Sequence, residues 1–236
     1  MEFAMSVASE PGTVASGDAS ASYPATDRTV PARMRERTYY DRELVHSILD
    51  EAYICHLGFV RDGSPVVLPT LYGRVGETLY VHGSTGARVQ RMAGAADPGL
   101  QVCLTVTHVD GLVLARSAFH HSLNYRSVVV HGLAHQVTDR DEKRTALDAI
   151  VDHVVPGRAQ DSRPGNDKEL AATSVLRLDL AEVSARVRAG GPNDDEEDLG
   201  LPYWTGVVPL TKGHGAPIPA DDLAPGIAVP DYLTGL

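Results

Sequence analysis

Apolar and polar residues alternate with a period of two through most of the chain's middle. The spacing lengthens to three or four in a few short windows, and that change separates strands from helices. The first helical window is Leu44, Val45, Ile48, Leu49 and Ala52, with Thr38 to Asp41 resembling a capping box ahead of it. Tyr53 to Val60 then reads as a strand, and Arg61-Asp62-Gly63-Ser64 carries the Asp-Gly hairpin signal. The return strand runs to about Tyr72, and Gly73 to Glu77 is expected to turn the chain again. Residues 77–82 form a third strand, and 84–94 a short helix. Leu100 to His108 is a fourth strand, with Val102, Leu104 and Val106 on one face. Asp110-Gly111 reads as a turn into a short strand, Leu112 to Ala115. Arg116 to Leu123 reads as a polar, His-bearing loop, and Tyr125 to Thr138 as a long strand. Thr138 and Asp141 are the expected caps of a helix that aligns Leu147, Ile150, Val151 and Val154 and stops at Pro156-Gly157. Residues 157–169 read as a mobile loop, and Ala172 to Leu180 as the last clear strand.

Short antiparallel strands with two or three peripheral helices predict a mainly β, closed barrel rather than βαβ units. That barrel spans residues 37–190. Residues 1 to about 36 are rich in Ala, Ser, Gly, Thr and Pro without apolar periodicity, so they read as a disordered tail. Residues 191–236 read as an extension packed on the barrel or on a partner subunit, and Asn193 to Asp198 as a solvated acidic loop.

Composition narrows the functional classes. Hydrophobic residues are 43% of the 236, enough for a sizeable core. A formal net charge of −10 argues against a nucleic-acid or anionic-membrane surface, and an anionic ligand would need a local basic pocket. The apolar runs fall short of the roughly 20 residues of a membrane span. The tail lacks the charged and apolar regions of a secretory signal, so a cytoplasmic location is expected. Cys55 and Cys103 lie in strand-like apolar runs and read as small buried residues rather than a disulfide.

The chemistry concentrates at Thr78 to Arg91. A short apolar strand runs into His82-Gly83-Ser84-Thr85-Gly86, and a helix begins behind it. Hydroxyls at Ser84 and Thr85, the first helical N–H groups and the Arg88 guanidinium, one turn in, could converge on a phosphate. A plain strand–turn–helix with a surface arginine has the same local pattern. His82 ends the strand, and an imidazole titrates near neutrality, which suits proton delivery. Local hydrogen bonding would explain it equally. Metal binding has no support. His131 and His135 lie four residues apart on a strand, about 13 Å, and His120 and His121 point opposite ways in extended chain. No hydrolase, Walker or Rossmann signature is present.

Five segments in order carry a resemblance: Gly63 to Tyr72, Tyr80 to Ser84, Asn124 to Gly132, Asp141-Glu142-Lys143, and Pro202 to Leu210. From roughly Arg37 to Leu236 the chain resembles the pyridoxamine 5′-phosphate oxidase-like, FMN-binding split-barrel family, in particular its nitroimidazole-resistance branch. The resemblance implies an antiparallel Greek-key split barrel and a homodimer with FMN at the subunit interface. It implies an FMN-dependent oxidoreductase acting on a small organic molecule, with nitro-aromatics among the candidates. A non-catalytic haem- or deazaflavin-binding protein is the alternative. On this reading the cofactor residues are Leu68, Pro69, Thr70, Leu71, His82, Gly83, Ser84, Thr85, Arg88, Tyr125, Arg126, Ser127 and Trp204. His82 is also the candidate catalytic group. Arg126 could serve a phosphate, a substrate anion or a surface salt bridge. Trp204 could cover the flavin or pin the C-terminal segment. No basic cluster for a second, substrate phosphate is visible, so pyridoxine metabolism is not expected.

Overall fold

In the computed structural model, which describes residues 21–234, the period-two windows become strands and the helical windows become helices. The strands are β1 (Thr38–Tyr39), β2 (Ile54–Arg61), β3 (Ser64–Val75), β4 (Thr78–Ser84), β5 (Leu100–Leu114), β6 (Ser122–Gln136), β7 (Thr173–Asp179), β8 (Glu182–Arg188) and β9 (Gly206–Pro209). The helices are α1 (Arg42–Glu51), α2 (Arg88–Ala95), α3 (Arg140–Val154) and two short ones, α4 (Asp167–Ala172) and α5 (Asp231–Thr234). All strand pairs are antiparallel. The order β6-β7-β4-β3-β2-β5 closes on itself through β6–β5, giving a ring of six strands. Strand β8 extends the sheet from β6, with β1 beyond it, and β9 pairs with the end of β5. This is the expected mainly β split barrel.

Alternation fills the ring. Leu57, Val102, Leu104, Val106, Val128, Val130, Leu79, Leu176 and Leu178 point inward and are buried. Helix α1 plugs one end with Val45, Ile48 and Leu49, each fully buried. Its cap is Asp41 alone, whose side chain accepts from Leu44 N at 2.8 Å, while Thr38 belongs to β1. Helix α3 packs outside β4 and β7 through Ala146 and Ile150 against Tyr80, Val137 and Val175. Its cap is Asp139, not Thr138 or Asp141. Gly73 lets it approach: a Cβ there would sit 2.8 Å from backbone atoms of Ala149 and Ile150.

Several boundaries differ from the sequence expectation for identifiable reasons. The turn expected over Gly73 to Glu77 shrinks to Gly76 and Glu77, because Gly73, Arg74 and Val75 stay paired with β4. Asp110-Gly111 is a bulge inside β5 rather than a turn, since β6 pairs with β5 on both sides of it. Residues 157–169 include the start of α4, whose capping box joins Asn166 and Glu169. Cys55 is fully buried, and burial pushes its thiol up to about 12, whereas Cys103 faces outward and is half-buried.

The tail expectation changes at residue 21, and residues 1–20 lie outside the described residues. Tyr23 is buried; its hydroxyl donates to Glu77 at 2.7 Å and sits 3.0 Å from His46 Nε2. The Arg42 guanidinium lies 4.2 Å from its ring centroid. One aromatic in a small-residue segment thus docks the chain onto α1. At the other end, Lys212 Nζ lies 3.1 Å from His108 Nδ1 and Tyr53 Oη 2.8 Å from His214 Nε2, so the C-terminal segment contacts its own barrel. Among the described residues no helix is long and apolar enough to cross a membrane.

Candidate flavin site

The barrel opens between β3 and β4. Their pairing covers Val75 to Tyr72 against Thr78 to Val81 and stops there. The next positions in register would join Leu71 to His82 and Thr70 to Gly83. Instead Ser64 to Leu71 pairs only with β2, and His82 to Ser84 only with β7. Two strand edges therefore diverge, each with backbone groups free on the open side. Leu68 shows the consequence. It pairs with Leu57 and points inward like it, yet Leu57 is 3% exposed and Leu68 39%. An apolar wall and two unpaired backbone edges suit a flat ligand with a polar rim.

The far lip carries the groups expected from the sequence to meet an anion. Ser84 ends β4, and its Oγ accepts from Gly86 N at 3.2 Å. Thr85 N donates to Ala172 O at 3.0 Å, which anchors the turn to α4. Helix α2 starts at Arg88 with Ala87 as its N-cap, and no side chain caps it. Its first N–H groups thus lack a side-chain acceptor, the usual condition for binding an anion at a helix start. Arg88 is the first helical residue rather than one turn in. It is 60% exposed and 3.9 Å from the carboxylate of Asp62 in the β2–β3 turn, a loose contact that leaves the guanidinium available.

Two buried atoms beside the turn have no partner among the described residues: His82 Nδ1 and Gln90 Oε1. The Gln90 side chain lies under Gly83, where a Cβ would sit 3.0 Å from Nε2. Unsatisfied buried acceptors and donors are costly, and a ligand polar group at the fork would relieve that cost. Gln90 was missed in the sequence, although a polar residue between Val89 and Ala93 on the buried side of a helix is a legible signal.

The remaining predicted residues do not gather at the fork within one chain. Tyr125, Arg126 and Ser127 pair with β5 and β8. Strands β5 and β2 separate them from β3, about 14 Å of sheet. Arg126 donates to Asp110 at 2.8 and 3.0 Å and to Glu51 at 2.9 Å, so its guanidinium serves an ion-pair network. Those hydrogen bonds, to Glu51 and then Asp110, hold its pKa above the usual arginine range. The Trp204 ring covers Gly206 of its own chain, where a Cβ would sit 3.0 Å from Cη2. Pro69 is exposed on the outer face of β3, and Leu71 packs against the cluster that joins Tyr80, Val137 and Val175 to α3.

Several known proteins are similar to this chain. Residues 41–187 match the protein family described as pyridoxamine 5′-phosphate oxidase. The flavocytochrome Anf3 from Azotobacter vinelandii is 37% identical over 90% of this chain and 98% of its own, with a TM-score of 0.83. An FAD and heme binding protein from Mycobacterium smegmatis is 39% identical over 84% of this chain and 96% of its own, with a TM-score of 0.79. A Bacteroides thetaiotaomicron structure assigned to 5-nitroimidazole antibiotic resistance is 23% identical over 64% of this chain and 86% of its own, TM-score 0.52, and shares the fold. No curated protein matches the chain. The chain belongs to the pyridoxamine 5′-phosphate oxidase-like family of flavin-binding split barrels.

Proposed function

We propose that this protein is a flavin-dependent oxidoreductase that also carries a haem. The observation that carries the flavin reading is the β3–β4 fork, with His82 Nδ1 and Gln90 Oε1 buried and unpartnered beside an uncapped helix start. Ser84, Thr85, Arg88 and the α2 amides would hold the phosphate that FMN and FAD share. The β3 edge from Leu68 to Leu71 would hydrogen-bond the ring's polar rim through its backbone, with Leu68 as an apolar wall. FAD is favoured over FMN, because a relative 39% identical to this chain is described as binding FAD and heme. The same relative and the flavocytochrome support the haem.

A bound flavin supplies hydride or single-electron transfer, and the protein supplies position, field and exclusion of water. His82 stands at the fork next to Gly83 and can pass a proton between solvent and a reacting group there. A second copy of the chain would close the site. The outer face of β2, β3 and β5 exposes Ile54, Val60, Val67 and Val109, an apolar surface suited to burial between subunits.

The direct test is cofactor content. Purified protein should release a flavin, identified by mass as FAD, and show a Soret band after expression with sufficient haem supply. Protein that neither purifies with flavin nor binds it on titration would overturn the flavin assignment. Light scattering should give twice the chain mass. His82→Gln should slow reoxidation of the reduced, flavin-loaded protein by about 10²–10⁴-fold. An unchanged rate in stopped flow would leave solvent as the proton source.

A further inference from the structure

We infer that the C-terminal segment is a strap latched to the barrel by Lys212 and His108, and that a proton taken up by His108 opens the latch. The chain leaves the sheet at β9, and Leu210 N still donates to Asp110 O at 3.0 Å. Beyond it, residues 211–229 form no strand or helix and are all exposed. Among the described residues, three sets of side-chain hydrogen bonds tie this stretch and α5 to the rest of the chain. Lys212 meets His108 at 3.1 Å and His214 meets Tyr53 at 2.8 Å. Tyr232 meets Arg158 and Asp161 at 3.0 and 2.6 Å.

The Lys212 contact requires a neutral imidazole. His108 is 1% exposed, and its Nε2 lies 3.0 Å from the carbonyl oxygen of Ile48. A carbonyl only accepts, so Nε2 carries the ring proton and Nδ1 keeps a lone pair. The Lys212 ammonium has donors alone, so it donates to Nδ1. Protonation of the ring occupies that lone pair. The hydrogen bond is lost, and the ammonium then faces a second cation. Glu51 Oε1, 3.6 Å from Nδ1, becomes the partner of the new N–H.

The surrounding charges decide which group gives way. Glu51 approaches from the end of α1, Asp110 from the same strand, Arg126 from the paired position of β6, and Lys212 from the strap. Two carboxylates and two cations balance while the imidazole is neutral. Hydrogen bonds from Arg126 hold both carboxyls below the usual carboxylate range, so they stay charged wherever an imidazole titrates. A proton on His108 therefore leaves one positive charge in excess. Arg126 is fixed by its hydrogen bonds to Glu51 and Asp110. Lys212 is exposed and stands on a segment without secondary structure, so its departure into solvent restores the balance. The His214 contact does not switch in this way. Neutral Nε2 accepts from the Tyr53 hydroxyl, and protonated Nε2 donates to its oxygen.

The test is tryptic cleavage after Lys212 in the full-length, flavin-loaded protein between about pH 8 and pH 5, the range in which imidazoles change charge. A free peptide with the sequence of residues 208–216, digested in the same tube, cancels the protease's own pH dependence. Normalised cleavage of wild type should rise as pH falls, by up to about tenfold per pH unit, the limit for one linked proton. His108→Gln offers an amide that donates to Ile48 O and accepts from Lys212, so its cleavage should stay slow at every pH. His214→Gln should keep the wild-type pH dependence. Wild-type cleavage that does not change with pH overturns the latch, whether or not His108→Gln folds. A pH dependence that persists in His108→Gln, or vanishes in His214→Gln, overturns it as well. Lys143, inside α3, reports on the barrel. Cleavage there should not rise with acid, and a rise in step with Lys212 would mean that the whole fold opens, which also overturns the proposal.

Discussion

Strands β5 and β6 share thirteen paired positions, whereas β3 and β4 share four. Both pairs belong to the same ring, and their inward residues come from the same apolar set. On the zipped side Val102, Leu104, Val106, Val128 and Val130 are at most 3% exposed. On the forked side Leu68 points inward and remains 39% exposed. The contrast shows how one barrel divides its labour. The continuous ladder buries its inward residues, and the interrupted one leaves backbone groups and an apolar wall open, as the proposed flavin site requires.

Truncation on each side should make the largest difference. Leu104→Ala should cost about 2–5 kcal/mol, the range for buried leucines, because the zipped wall has little room to collapse. Leu68→Ala should cost under about 1 kcal/mol, since little area leaves water there. Urea denaturation measures both, and equal losses would erase the distinction. Next in size, Arg88→Ala should leave folding intact while weakening flavin binding by about ten- to a hundredfold, the equivalent of one charge-assisted hydrogen bond. Fluorescence titration checks it, and unchanged affinity would move the phosphate elsewhere.

The smallest effect belongs to the zipped side and depends on pH. Hydrogen bonds from Arg126 hold the carboxyls of Glu51 and Asp110 below the usual carboxylate range. A depressed carboxylate stabilises the fold fully above its unfolded pKa, about 4, and loses that contribution as pH falls through the folded value. Both groups are partly exposed, so solvent screens the effect. The wild-type advantage in thermal midpoint over Arg126→Gln should therefore shrink below about pH 4. A difference that stays constant from neutral to acid pH would assign the network no role in acid stability.

Much of this was legible in one dimension. The Asp62-Gly63 hairpin forms where expected, with positive φ at both residues. The helical stripes fell within one to four residues of α1, α2 and α3. The Ser84-Thr85-Arg88 turn stands at the barrel's opening. Strand β8 was overlooked although Val183, Ala185 and Val187 alternate with Ser184, Arg186 and Arg188, because the Asp179 to Ala181 turn before it contains no Gly or Pro. Tyr23 could not be found by periodicity, since a single aromatic has no period. For Arg126 the sequence leaves a cofactor, a substrate anion and a salt bridge open, and the ion pairs with Glu51 of α1 and Asp110 of β5 are visible only in the tertiary structure.

The sequence by itself determined what repeats locally: strand and helix periods, the hairpin signal, and the polar turn ahead of α2. Each is set by side chains a few residues apart. Tertiary structure decided where β3 and β4 part, and with that which of Leu68 to Leu71 and His82 to Ser84 face one another. It also turned Asp110-Gly111 into a bulge. These outcomes depend on the register of strands far apart in the chain. Register is chosen by the summed burial of a whole sheet face, which no local window contains.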